Sequence, residues 1–177
     1  EKLENFIDNT TCLGIGECGL DFRAEQADKK KQQYFFKAQL DIAERKNLPV
    51  IIHSVRATED VIQQLRKYPT LTGMVHSYSG SYEQALQLIE LGFYISFGGA
   101  ITYEHARKLR KVASKIPLTS LLIETDAPDQ PDASHQHERN EPAYLTEVIN
   151  VLVKLRSEST TKIAHHTISN VKNLFGL

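Results

Sequence analysis

The chain has 177 residues, and its 21 basic and 22 acidic side chains nearly cancel, so the sequence carries no polycationic tail typical of nucleic-acid binding. It contains no apolar run of the roughly 18 residues that indicate a membrane helix, and its first residues lack the form of a signal peptide. Cys12 and Cys18 form neither a CxxC motif nor a disulfide framework. These features predict a cytoplasmic protein with reduced thiols and no membrane contact.

Short apolar runs alternate with helical patterns along the chain. Five strands rich in Ile, Leu or Val are predicted at 13–18, 49–53, 72–76, 93–97 and 120–125. Helices are predicted at 28–46 and 58–68, from a cap at Ser79 or Ser81 to Gly92, and at 103–115, 142–156 and 160–174. A polar loop, 128–141, precedes the last two helices. This alternation is typical of parallel βα units.

The fold class predicted from this order is α/β, a TIM (β/α)8 barrel of which about five C-terminal βα units are present. A closed barrel of this type needs eight strands and about 250 residues, so the barrel is expected to be incomplete. Residues 1–177 are interpreted as a single domain forming its C-terminal portion. The alternative is a self-contained five-stranded parallel sheet, which would leave a hydrophobic edge strand to be covered.

Four candidate metal ligands, Glu17, His53, His76 and Asp126, end the runs LGIGE, PVIIH, GMVH and LLIETD. Parallel strands end at one rim, so the four side chains are expected to converge on a site for a divalent cation such as Zn, Mn or Mg. Each residue has a structural alternative: an ion pair with an arginine for Glu17, a core role for either histidine, and a turn cap for Asp126.

Further residues near the predicted rim have less specific patterns. Asp21 is a candidate for contacting metal-bound water or the loop backbone, and no role is assigned to Glu124. A phosphate could be bound by Ser77, Ser79 and Gly80 or by the guanidinium groups of Arg56 and Arg139, although helix capping and ordinary surface positions explain them as well. His135 and His137 are candidates for a substrate contact.

Five segments, GECGLDF, PVIIHS, MVHSYSG, GFYISFGGAIT and LLIETDAP, resemble in their order the TatD family of metal-dependent hydrolases, in its YjjV-like branch. The resemblance implies an amidohydrolase-type TIM barrel with two divalent cations, and several family members act as deoxyribonucleases. It implies that Glu17 is shared by both metals and that His53 and His76 hold the second. Asp126 would hold the first metal and orient or deprotonate the attacking water as the catalytic residue.

One feature of the family pattern is absent before Glu17. The family carries an HxH pair on its opening strand, whereas the HxH of this chain, His135–Gln136–His137, lies in the loop after Asp126. We therefore expect an N-terminal part to be missing and the first metal site to be incomplete.

The leading functional hypothesis is hydrolysis of phosphodiester bonds by metal-activated water, with DNA as the substrate and TatD-type deoxyribonuclease activity. The alternatives are hydrolysis of a small ester, amide or lactone on the same scaffold, and an inactive, truncated barrel that lacks the HxH ligands. The sequence predicts no particular protein partner.

Overall fold

The computed structural model describes residues 2–23 and 28–177, and it alternates helices with strands. The strands are β1 (Ile15–Asp21), β2 (Val50–Val55), β3 (Gly73–Val75), β4 (Phe93–Phe97) and β5 (Leu121–Ile123). The helices are α1 (Lys2–Asp8), α2 (Lys29–Lys46), α3 (Thr58–Leu65), α4 (Tyr82–Glu90), α5 (Arg107–Lys115), α6 (Leu145–Leu155) and α7 (Thr160–Phe175). Short 3₁₀ turns at Gly99–Thr102 and Ala133–His135 follow β4 and β5.

The five strands form one parallel sheet in the order β1-β2-β3-β4-β5. Parallel neighbours joined by right-handed crossovers place their helices on one face of the sheet. Burial along β2 follows this arrangement, because Val50 and Ile52 are fully buried while Ile51 and His53 are partly exposed on the other face. All five strands therefore end at one edge, which we call the C-terminal edge.

The hydrophobic core lies between the sheet and its helices. It combines strand residues such as Ile95 with helix residues such as Leu40 and Leu88, all fully buried. The amide of Gln84 donates to the Ser81 hydroxyl, and the Ser81 amide donates to the Gln84 side chain, so a capping box begins α4. This decides between the two predicted caps, Ser79 and Ser81, in favour of Ser81.

Strand β1 contains one extra residue relative to β2. Ile15 pairs with Val50 and Cys18 with Ile52, so three steps along β1 match two along β2. A bulge of this kind reverses the alternation of side chains, because the period of a strand is two residues. Ile15 and Cys18 can both be buried against the helices as a result, while Glu17 is exposed on the opposite face.

The α/β fold and the five parallel strands are confirmed, and the range of β4 is the predicted one. The sequence reading missed α1, and it began the fifth predicted helix too early, because 103–106 precede α5 and are not helical. The described strands form an open sheet with β1 and β5 outermost, so the structure does not require a closed barrel. Among residues 2–23 and 28–177, no helix is long and apolar enough to cross a membrane.

Candidate metal centre

Three of the predicted ligands meet at the C-terminal edge. Oε1 of Glu17 lies 2.6 Å from Nδ1 of His53 and 2.7 Å from Nε2 of His76. The two ring nitrogens that face Glu17 are 3.2 Å apart. We call Glu17, His53 and His76 the strand-edge cluster. Each offers one ligand atom, and these atoms lie within 4.8 Å of one another.

Strand register brings the two histidines to the same level. Ile52 of β2 pairs with Val75 of β3, so the residues that follow them, His53 and His76, are neighbours across the sheet. On the other side, Gly19 of β1 pairs with His53. A Cβ atom on Gly19 would lie 1.9 Å from the His53 carbonyl oxygen, so only glycine lets β1 approach His53 this closely.

Each histidine of the cluster has a second carboxylate at its other ring nitrogen. Oδ2 of Asp21 is 3.4 Å from Nε2 of His53, and Oε1 of Glu124 is 3.4 Å from Nδ1 of His76. A carboxylate behind a ligating imidazole fixes its orientation and tautomer and makes it a better ligand. The sequence left Asp21 undecided between two roles, and its position now favours orientation of His53.

Glu124 belongs to the candidate site, although the sequence analysis assigned it no role. Its Oε1 accepts a hydrogen bond from the backbone amide of Ser77 (2.5 Å), and its Oε2 accepts one from the Ser96 hydroxyl (2.6 Å). These contacts fix the carboxylate beside His76. The available signal was the spacing in LLIETD: Glu124 and Asp126, two positions apart after one strand, could both face the rim.

Carboxylates dominate the electrostatics of the site. Burial alone would lower the pKa of His76, but Glu124, Glu17 and Asp126 outweigh it and raise this pKa to about 9. The pKa of Asp21 is lowered to about 2, chiefly because Arg23 donates hydrogen bonds to it. Such an excess of negative charge around two imidazoles favours a bound cation.

Asp126 follows β5 at the same edge but is not a member of the three-residue group in the described part of the chain. Its Oδ2 accepts a hydrogen bond from the Gln130 side chain, whose Oε1 accepts one from the Ser77 hydroxyl. Its charge still reaches His76, whose pKa it helps to raise. The structure thus brings together three of the four predicted ligands, and the metal-binding and catalytic roles of Asp126 stay predictions.

The residues considered for phosphate binding lie in three separate places. Arg56, Ser79 and Gly80 line one cavity of about 340 Å³ together with Lys108 of α5. Ser77 instead bonds to Glu124 and Gln130, so it supports the strand-edge cluster. Arg139 is exposed in the loop after β5.

The HxH segment contains histidines like those of the strand-edge cluster, but its side chains are arranged differently. Nδ1 of His135 lies 2.8 Å from Oδ2 of the buried Asp132, and the His135 ring stacks on Tyr144 with centroids 3.6 Å apart. We call Asp132, His135 and Tyr144 the loop cluster. His137 is exposed, with a backbone φ of 74°.

The strand-edge cluster fits a divalent cation. Ligand atoms at about 2.0–2.2 Å from a tetrahedral ion lie roughly 3.3–3.6 Å from one another, so donor atoms that are now 2.6–3.2 Å apart would separate by about 0.1–1 Å around the ion. One carboxylate and two imidazoles form a donor set common in Zn and Mn sites. These features define a class: parallel α/β proteins of the TIM-barrel type that hold a divalent metal at the C-terminal edge.

Comparison with known proteins identifies the family within this class. A family model described as "TatD related DNase" matches residues 1–176. The chain is 40% identical to the "Uncharacterized metal-dependent hydrolase YjjV" of Escherichia coli, over 93% of this chain and 64% of that protein. It is 38% identical to the "Uncharacterized metal-dependent hydrolase YabD" of Bacillus subtilis, over 92% of this chain and 65% of that protein. The chain belongs to the TatD family.

A solved structure agrees with this assignment. The crystal structure of the TatD homologue YjjV from Escherichia coli superposes with a TM-score of 0.95 at 37% identity, covering 99% of this chain and 69% of that one. The matches extend over nearly the whole chain and do not bear out the expectation that an N-terminal part is missing. The chain spans about two thirds of the length of these relatives.

Proposed function

We propose that the protein is a divalent-metal-dependent hydrolase that cleaves phosphodiester bonds in DNA. The observation that carries this proposal is the convergence of Glu17, His53 and His76 on one point, with a carboxylate behind each imidazole. The description of the matching family as TatD related DNase supports DNA as the substrate class. Residues 1–177 acting as one domain, and a cytoplasmic location, belong to the same proposal.

The residues of the chain have separate tasks in this proposal. Glu17, His53 and His76 bind one cation, while Asp21 and Glu124 hold the imidazoles in their ligating orientation. A divalent ion bound here would supply Lewis acidity and lower the pKa of bound water. Asp126 would orient the attacking water and accept its proton at a carboxylate oxygen, as a general base.

A second cation would be bound between Glu17 and Asp126, with the Glu17 carboxylate shared by both ions. Two carboxylates alone are a small ligand set for a tightly held ion. We therefore expect metal analysis by mass spectrometry to find at most one tightly held ion per chain after dialysis, of Zn, Mn or Mg. Two stoichiometric ions would show that a further group completes the second position.

The test is metal-dependent cleavage of a single-stranded DNA oligonucleotide, compared between the wild-type protein and the Asp126→Asn variant. Loss of a general base costs about 10²- to 10⁴-fold in rate, so we expect turnover to fall by at least this factor while substrate affinity changes little. Asp129→Asn, three positions away in the same exposed loop, is the matched control and should retain wild-type turnover.

Two results would contradict the proposal in different ways. Near-wild-type turnover by Asp126→Asn at saturating metal would remove Asp126 from the chemistry. Turnover of a small ester or lactone, without cleavage of DNA by the wild-type protein, would establish the alternative hydrolase function on the same scaffold.

A further inference from the structure

A buried asparagine is bonded to the loop that contains the proposed catalytic residue. Residues 125–130 follow β5 and include Asp126, and we call this segment the Asp126 turn. The last three residues of the turn are exposed, whereas the side chain that bonds to it, Asn140, is only 4% exposed. Exposed loops move more than the elements that they connect. The contacts of Asn140 therefore bear on how well the turn is held.

Asn140 donates hydrogen bonds to four carbonyl groups of the Asp126 turn. Its side-chain nitrogen Nδ2 lies 2.6 Å from the carbonyl oxygen of Thr125, 2.7 Å from that of Asp129 and 3.2 Å from that of Gln130. Its backbone amide donates to the Pro128 carbonyl at 3.0 Å. The side-chain amide has two hydrogens, so one of them is shared between two carbonyl groups. One residue thus joins the two ends of the turn.

The backbone of the Asp126 turn needs such support. Asp126 has a φ of 61° and Gln130 has a φ of 51°, both in the left-handed region. Residues other than glycine adopt this region rarely, and surrounding contacts have to hold them there. Inside the turn, the Asp129 amide donates to the Asp126 carbonyl at 2.9 Å. The bonds from Asn140 reach from the residue before Asp126 to Gln130, so they span both left-handed residues.

The same bonds influence the direction of the Asp126 side chain. The Gln130 side chain donates to Oδ2 of Asp126 and accepts from the Ser77 hydroxyl at 2.6 Å. Because Asn140 bonds to the Gln130 carbonyl, it holds the backbone from which that side chain extends. A displacement of about 1 Å in a reacting group can cost about 10²-fold in rate. Support of the turn therefore affects chemistry as well as stability.

Asn170 has the same kind of contacts in a different place. It is also 4% exposed, and its Nδ2 donates to the carbonyl groups of Leu118 and Leu121, each at 2.8 Å. Leu121 is the first residue of β5, so these bonds lie at the opposite end of the strand from Asp126. Asn170 is therefore a matched control, with an equal side chain and equal burial but no bond to the Asp126 turn.

We propose that Asn140 is a positioning residue for Asp126. Through the Asp126 turn, it holds the Asp126 carboxylate in the orientation that accepts a proton from the attacking water. Asn140 itself acts on neither the substrate nor a metal. The inference rests on the proposed function for the role of Asp126 as general base, and it adds the residue on which the position of that base depends.

The first experiment measures kcat and KM for cleavage of the single-stranded DNA oligonucleotide at saturating Mn²⁺. Asn140→Ala should lower kcat by about 10- to 100-fold, the range for loss of an orienting partner, with little change in KM. Asn170→Ala should retain the wild-type kcat. Circular dichroism verifies that each variant is folded. Asn140→Ser, which keeps one donor, replaces Asn140→Ala if the latter does not fold, and it is judged by the same criteria.

Two further measurements separate positioning from a general loss of stability. In an Asp126→Asn background, Asn140→Ala should cause no further loss of kcat, because residues that act as a unit are not additive. Amide hydrogen exchange should become faster in residues 125–130 of Asn140→Ala and stay at the wild-type rate there in Asn170→Ala. Hydrogen exchange requires no turnover, so it tests the turn independently of the proposed function.

The outcomes distinguish the positioning role from the hydrolase function. A wild-type kcat in Asn140→Ala, an equal loss in Asn170→Ala, or a further loss in the Asp126→Asn background would each overturn the positioning role. Unchanged exchange of residues 125–130, or failure of both Asn140 variants to fold, would overturn it as well. If the wild-type protein cleaves no DNA, the hydrolase proposal fails, while faster exchange confined to residues 125–130 would still support the hold of Asn140 on Asp126.

Discussion

The strand-edge cluster and the loop cluster both pair histidine with a carboxylate, yet their surroundings differ. In the strand-edge cluster, His53 and His76 come from positions 23 residues apart and point at the same oxygen of Glu17. In the loop cluster, His135 bonds to Asp132 only three positions earlier, and Tyr144 covers one face of its ring. In the strand-edge cluster, ligand atoms from several segments converge on one point. In the loop cluster, the imidazole and the carboxylate bond to each other over three positions of the chain.

This difference shows why residue types alone do not identify a ligand site. A metal centre needs donors from several segments whose ligand atoms converge, with oriented imidazoles. A histidine paired within one turn and stacked on an aromatic ring instead stabilises the loop that contains it. The loop cluster is thus interpreted as a structural element, although its histidine, His135, belongs to the HxH segment of this chain.

Replacing one histidine in each cluster should give the largest difference in metal affinity between the two clusters. We expect His76→Ala to weaken binding of Zn²⁺ or Mn²⁺ by more than about 100-fold, since loss of a ligand exceeds the 10- to 100-fold cost of losing an orienting partner. His135→Ala should leave the metal affinity unchanged. Isothermal titration calorimetry of both variants measures the contrast. A large loss of affinity in His135→Ala would assign the loop cluster to the metal centre.

Glu124→Gln tests orientation separately from ligation. The amide can still accept from Ser77 or Ser96, but it lacks the charge that faces Nδ1 of His76. We expect metal affinity to fall by about 10- to 100-fold. Glu90→Gln, at an exposed position in α4, is the control for removing one carboxylate. Unchanged affinity in Glu124→Gln would show that the backbone alone positions His76.

Asp132→Asn should affect stability and not metal binding. The Asp132 carboxylate is buried and accepts from the Ser134 amide at 2.8 Å as well as facing His135. An imperfectly satisfied buried polar group costs about 1–3 kcal/mol, so the free energy of unfolding in urea should fall by this amount. A weaker metal affinity with unchanged stability would contradict the separation of the two clusters.

The pH dependence of the loop cluster is the smallest expected effect. Asp132 raises the pKa of His135, and the pKa of Asp132 is lowered because hydrogen bonds from His135 and the Ser134 amide outweigh its burial. The contribution of protonated His135 to the free energy of unfolding is complete below the ordinary pKa of histidine, and it is lost as pH rises through the raised pKa. The contribution of the Asp132 carboxylate to the free energy of unfolding is present above the ordinary pKa of aspartate, and it is lost as pH falls through the lowered pKa.

The free energies of unfolding in urea of the wild-type and His135→Ala proteins should therefore differ most between the ordinary pKa values of aspartate and histidine, around pH 5–6. The difference should shrink as pH rises above the raised pKa of His135, down to the contribution of the Tyr144 stack. A difference that grows with pH would show that the neutral imidazole is the stabilising form.

The sequence alone determined the order of the strands and helices after α1, and most of the strand-edge cluster. The short apolar runs that end in Glu17, His53 and His76 are typical of buried strands, and parallel strands end at one edge. The sequence similarly predicted a helix start at Ser79 or Ser81, between which the structure chose Ser81. Such local patterns are readable because the periodicity and capping preferences of a segment depend on its own residues.

Tertiary structure decided which way the side chains point and what lies behind them. The bulge that turns Glu17 toward the histidines depends on pairing between β1 and β2, which no single segment encodes. Glu124 reaches Ser77, 47 positions away, and Tyr103 bonds to Pro131 in the loop after β5. These contacts join residues far apart in sequence or set by strand register, so their geometry exists only once the sheet has formed.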